Sequence, residues 1–167
     1  MRHNGVPAML KIARADEERR GGALMAWWDG DGAAKVLAQH GEALLLERAT
    51  GARSLTEMVA TGQDDEASRI LCEVAARLHA PRAGSTPELV LLARWFEALA
   101  PAARTHGGLL AQADSAAQAL LADPRDVVVL HGDIHHGNVL DGGERGWLAI
   151  DPKGLLGERT FDFVNIL

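Results

Sequence analysis

The chain has little with which to cross-link itself, span a membrane or hold a polyanion. Cys72 is its single cysteine, so no intramolecular disulfide can form, and a reducing cytoplasm is the expected compartment. No apolar run approaches the ~20 residues that a membrane-spanning helix needs. Residues 1–20 carry charge throughout and contain no apolar stretch of the kind that marks a secretory leader. Basic excess is also missing. Lys and Arg number 17 against 23 Asp and Glu, a formal net charge of −6, which argues against nucleic acid as a partner. Repeats, low-complexity tracts and long linkers are absent as well. What remains is a chain of 167 residues, 47% apolar, of single-domain size and able to bury a core. The sequence carries no sign of oligomeric state.

Apolar spacing predicts helices in the middle of the chain. From Asp65 to His79, Ala67, Ile70, Leu71, Val74, Ala75 and Leu78 form a helical stripe, which Pro81 and Gly84 end. Leu89, Leu92, Ala93, Phe96 and Leu99 predict a second helix, stopped by Pro101. Leu109, Leu110, Ala113, Ala116, Ala117, Leu120 and Leu121 predict a third, closed by Pro124. The β-branched run Val127–Leu130 reads as a strand. Val139-Leu140 and Trp147–Ile150 flank a glycine-rich turn at 141–146 and predict a β-hairpin. The mixture is α+β.

Chemistry concentrates in Leu130-His-Gly-Asp-Ile-His-His-Gly-Asn138 and in Ala149-Ile-Asp151. If Leu140 pairs with Ala149, Asn138 stands directly opposite Asp151, and facing Cβ atoms are about 5 Å apart. An amide oxygen and a carboxylate would then reach one hard cation, and Mg²⁺ takes such oxygen ligands alongside phosphates. Asp133, one loop earlier, would orient a substrate hydroxyl and accept its proton. This is the working end of a phosphoryl-transfer enzyme. Each residue also has a plain structural reading: Asp133 as a turn or cap residue, Asn138 as a loop end, Asp151 as a cap on the turn at Pro152.

The pattern His131-Gly132-Asp133-x-His135-x-x-Asn138 with a later Asp151 resembles the catalytic loop and metal segment of the aminoglycoside phosphotransferase branch of kinases. Asp151-Pro152-Lys153-Gly154 stands where the kinase D-F-G would. The run from Gly146 to Phe163 is similar to the streptomycin 6-kinase and hydroxyurea kinase subgroup. The resemblance implies a protein-kinase-like fold with ATP and Mg²⁺ as cofactors. A partial small lobe at 1–48 would precede a helical large lobe with the active-site hairpin at 49–167. It assigns Asp133 as catalytic residue and Asn138 and Asp151 as metal ligands. Lys11, after the turn at Asn4-Gly5, would pair with the α/β-phosphates, held by Glu18 on the following helix, with Glu17 as second choice. Glu47, Arg48 and Ala49, after the strand from Ala43, would offer hinge backbone to adenine. Relative to that family the chain reads as an internal piece, lacking a phosphate-covering loop before Lys11 and helices beyond the metal segment.

The implied partner is a small-molecule hydroxyl acceptor, an antibiotic such as streptomycin or hydroxyurea, whose phosphorylation confers resistance. An acidic protein suits a cationic aminoglycoside. Choline, a sugar or homoserine are alternative acceptors, and a catalytically inactive remnant is the alternative of another class. His131 is expected to hold the loop and His135 to set the backbone around Asp133, in place of a zinc site formed with His136. Lys153 reads as a loop-exposed charge rather than a phosphate contact. Asp162 is expected to tie down the segment after it, Trp27 and Trp28 to pack, and Gly30 and Gly32 to form a turn.

Overall fold

In the computed structural model, which describes residues 1–166, the chain opens with β1 (Arg2–His3) and β2 (Val6–Ile12). Asn4 and Gly5 between them take positive φ, 48° and 83°, the twist that a tight antiparallel hairpin requires. Helix α1 (Asp16–Trp28) follows, then β3 (Val36–His40) and β4 (Ala43–Glu47). These strands form one antiparallel sheet in the order β1-β2-β4-β3, with Lys11 opposite Leu44.

The chain then turns helical. Helices α2 (Leu55–Ala60) and α3 (Asp64–Leu78) lead to a short strand β5 (Val90–Leu91) and to α4 (Leu92–Trp95), α5 (Leu99–His106) and α6 (Gly108–Leu121). Strands β6 (Val127–Leu130), β7 (Val139–Asp141), β8 (Trp147–Ala149) and β9 (Leu155–Glu158) complete the fold. Strand β9 lies between β5 and β6, while β7 and β8 make a separate ribbon. The architecture is α+β. Among the described residues, no helix is long and apolar enough to cross a membrane.

The stripe expected on α3 is the stripe that is buried: Ala67, Ile70, Leu71, Val74, Ala75 and Leu78. It joins Leu24, Met25 and Trp28 of α1, Leu44 and Leu46 of β4, and Ile134, Val139 and Ala149 in one continuous cluster. Each large apolar side chain so buried contributes about 1.5–3 kcal/mol. Asp29 closes α1 in the left-handed conformation (φ 45°), and Gly30 and Gly32 form the expected turn. The residues between that turn and β3 bring the main chain onto the hairpin, with the Ala34 amide donating to the Ala149 carbonyl at 2.9 Å.

Three local expectations change. The single helix predicted over 89–99 is a short strand plus one turn of α4, and Pro101 does not stop a helix but lies in the first turn of α5. Its missing amide costs nothing there, because first-turn amides have no intrahelical acceptor. Helix α6 forms as predicted, yet none of its residues is buried. The hairpin register is shifted by one: Val139 faces Ala149 and Leu140 faces Leu148.

That ribbon is anchored through Asp141, whose buried carboxylate accepts from the Arg53 amide and guanidinium and from the Gly143 amide. The guanidinium, backed by those backbone amides, holds the Asp141 pKa down to about 2. Gly51 is required beside it, since a Cβ there would lie 2.1 Å from the Asp141 Cγ.

Candidate active site

Strand β6 delivers the chain into the loop 131–138, and buried groups hold that loop. His131 is fully buried. Its Nδ1 accepts from the Asp133 amide at 3.2 Å, which leaves the proton on Nε2 to donate to the Ile150 carbonyl at 2.8 Å. Burial pushes the His131 pKa down, which keeps the ring neutral and preserves this donor–acceptor pattern. The Trp28 ring stacks on it, centroids 6.2 Å apart. From the other side Asp162, fully buried, accepts from the His131 amide (2.9 Å), the Gly132 amide (2.7 Å) and His79 Nε2 (2.8 Å). His131 holds the loop as expected, whereas Asp162, expected to tie down the segment after it, instead braces the earlier residues His131, Gly132 and His79.

So held, Asp133 is presented with its side chain one-third exposed. Its Oδ2 lies 3.4 Å from Lys153 Nζ and its Oδ1 4.0 Å from His135 Nε2. The other nitrogen of that ring accepts from the Gly137 amide. Asn138 Nδ2 donates to the Asp133 carbonyl at 2.9 Å, which leaves Oδ1 as the amide atom with lone pairs to offer a cation. Asp151 leaves β8 in the left-handed region (φ 58°) and its Oδ1 receives Lys11 Nζ at 2.7 Å.

Two expectations about partners are corrected. With the shifted register, Asn138 pairs through its backbone with Ile150, whose amide donates to the Asn138 carbonyl at 2.9 Å. Asp151 therefore lies one residue beyond the position opposite Asn138. Glu18 does not hold Lys11. Its carboxylate turns back to accept from the Arg14 and Ala15 amides at 2.7 and 3.0 Å, bonds that lower its pKa. The cause is local: Ala15 at the helix N-cap has no acceptor of its own, so the acid at the third helical position caps the exposed amides. Asp151 takes the lysine instead.

Lys11 and Asp151 line a cleft of about 470 Å³ between the first sheet and the hairpin, together with Met9, Leu46, Glu47, Arg48, Ala49, Leu140 and Ile150. The expected hinge residues thus reach the same hollow as the lysine and the acid. The Glu47 side chain accepts from the Lys35 amide and pairs with Arg145. The Glu47 and Arg48 amides donate to the Lys35 and Pro7 carbonyls. Asp133 and Asn138 are outside the lining, but the Asn138–Ile150 bond and the Lys153 amide, which donates to the His131 carbonyl at 2.7 Å, press their loop against its Asp151 end.

Lys153, expected as a solvated loop charge, is part of the site. Its Nζ lies 2.8 Å from Glu17 Oε1 as well as near Asp133, and the hydrogen bond to Glu17, then the charge of Asp133, raise its pKa. The donors available to a divalent ion, Asn138 Oδ1 and the Asp151 carboxylate, are oxygens only. That set fits Mg²⁺ and would suit a softer metal poorly.

A kinase-like sheet over a helical body, with a loop acid and an acid–lysine pair at the cleft, defines the class as protein-kinase-like. A crystal structure of a protein described as a fructosamine-3-kinase from Thermobifida fusca YX-ER1 has this fold, with TM-score 0.62 at 20% identity over 98% of this chain and 66% of that one. The profile of the aminoglycoside/hydroxyurea antibiotic resistance kinases matches residues 1–167, and the chain belongs to that family. It is 58% identical over 166 residues to a streptomycin 3''-kinase of Klebsiella pneumoniae, covering 99% of this chain and 62% of the relative. To a hydroxyurea phosphotransferase of Kitasatospora aureofaciens it is 38% identical over 184 residues, covering 100% of this chain and 52% of the relative. The chain spans between 52% and 62% of the length of these relatives.

Proposed function

We propose that this chain carries the phosphoryl-transfer centre of an ATP-dependent, cytoplasmic antibiotic kinase whose acceptor is a hydroxyl of a streptomycin-class aminoglycoside. What supports the reading is the Lys11–Asp151 pair in the cleft, with the loop that carries Asp133 and Asn138 tied by main-chain bonds to Ile150 and Lys153 on either side of Asp151. Identity of 58% to a streptomycin kinase against 38% to a hydroxyurea phosphotransferase favours the aminoglycoside.

In this reading Asp133 orients the acceptor hydroxyl and takes its proton as the oxygen bonds to the γ-phosphorus and the bond to the β-phosphate oxygen breaks, releasing ADP. Lys11 meets the α/β-phosphates as a compact cation, and Ala49 and its neighbours give the adenine a backbone edge. Asn138 and Asp151 would hold Mg²⁺, which neutralises phosphate charge when bound. Phosphoryl transfer leaves the protein mostly positioning and electrostatics to supply, and the rigid bracing of the 131–138 loop supplies positioning.

The test is ADP release by this chain with MgATP and a panel of streptomycin, hydroxyurea and other hydroxyl acceptors, with products read by mass spectrometry. Phosphorylated streptomycin is expected, and Asp133→Ala should lower turnover about 10²–10⁴-fold with nucleotide binding by calorimetry unchanged. Wild-type turnover in that variant would refute the role of Asp133, and ADP release with no acceptor preference would refute the substrate class.

A further inference from the structure

Lys153 stands in the site without a part in the reaction just described. Its main chain is locked to the catalytic loop by the bond from its amide to the His131 carbonyl. Its Nζ bridges carboxylates of separate elements, Glu17 on α1 at 2.8 Å and Asp133 in the catalytic loop at 3.4 Å. The three side chains are 29%, 37% and 33% exposed, so none is a fully solvated surface charge.

The backbone explains why Glu17 arrives there. Helix α1 packs closely on the Asp151–Gly154 segment at two glycines. A Cβ on Gly21 would stand 2.2 Å from the Pro152 carbonyl oxygen, and one on Gly154 would stand 3.1 Å from the Arg20 Cβ. Glu17 precedes Gly21 by four residues and so lies on the same helix face. The contact that seats α1 on the metal segment therefore also aims Glu17 at Lys153. An isolated surface ion pair loses much of its value to side-chain freedom; here both backbones are fixed before the charges meet.

We infer that Lys153 is a positioning residue for Asp133: its ammonium holds the catalytic carboxylate in the orientation that receives the acceptor proton, and Glu17 braces it from α1. The small-lobe helix is thereby linked to the catalytic acid through two salt-bridge contacts. The inference rests on Asp133 being the proton acceptor.

Small misplacements of reacting groups cost about 10²-fold, so Lys153→Met should lower kcat roughly ten- to a hundredfold with KM for ATP unchanged. Lys153→Arg should recover part of the loss, and Glu17→Gln should give a smaller drop. In an Asp133→Asn background, Lys153→Met should add no further loss. A readout free of turnover is the carboxyl-carbon NMR signal of Asp133, assigned by its loss in Asp133→Asn, in nucleotide-free protein. It should move in Lys153→Met and move less in Glu17→Gln, with thermal melts confirming that all variants fold. Wild-type kcat in Lys153→Met, an unmoved Asp133 signal, or an equal loss in the Asp133→Asn background would each overturn the inference. A wild-type chain inactive on every acceptor, whose Asp133 signal still responds to Lys153→Met, would reject the phosphotransfer reading and leave the brace standing.

Discussion

Asp162 accepts from two consecutive loop amides and from a buried imidazole, and each of those donors loses its partner when the carboxylate is removed. Asp162→Ala should therefore destabilise the chain by about 3–5 kcal/mol, the range for breaking a buried charged contact, seen as a lower urea midpoint. The acids and amide of the candidate site were legible because they lie close together in sequence and their spacing is itself the signal. Lys153 was legible only as a charge, since its meaning comes from Glu17, more than a hundred residues away in the chain. Glu18 was misassigned for a related reason. Nothing in the string Asp16-Glu-Glu announces which acid will cap the helix, although Ala15 at the N-cap was a usable hint.

At the scale of elements, burial on one face gave the most dependable signal. Helix α3 and strand β6 lie where their apolar patterns place them. The stretch 89–99 does not, because its apolar spacing also suits a strand that pairs with β9, and such pairing is a long-range fact that no local pattern contains. The hairpin slipped by one pair because a 3₁₀ turn at Gly143–Arg145 takes up part of the connection, and turn geometry sets register. Glycine in the middle of α1 reads as a helix weakness of about 1 kcal/mol, yet Gly21 is where the helix meets the Pro152 carbonyl. Gly21→Ala should destabilise by about 1–3 kcal/mol, as overpacking does, and lower kcat by dislodging Glu17. Gly22→Ala is the control: the nearest atoms to its Cβ would be the Leu44 side chain at 3.2 Å and beyond, not backbone, so its melting temperature should fall less than that of Gly21→Ala. Equal losses in both would deny the backbone contact its special place.

Across the whole molecule, the cleft joins β2 and β4 to the β7–β8 ribbon, so a nucleotide seated there would cross-link the first sheet to the ribbon, whose β4, β7 and β8 residues share one buried core. A ligand at a hundred times its Kd stabilises by about 2.7 kcal/mol, which for a chain of this size raises the melting temperature by about 5–10 °C. MgATP should produce that shift, ATP with a chelator should produce less, and Asp151→Ala should abolish the Mg²⁺-dependent part. A shift unaffected by Asp151→Ala would move the metal elsewhere.

Asp151 has a further consequence through its backbone. A left-handed conformation costs a residue with a Cβ up to about 1–2 kcal/mol, less for Asp than for most, and nothing for glycine. The chain keeps an acid where its main chain would prefer no side chain at all. Heat tolerance alone would favour glycine at 151, while the metal-holding role proposed for Asp151 would keep the acid in place. At this one position, endurance and the proposed chemistry pull in opposite directions.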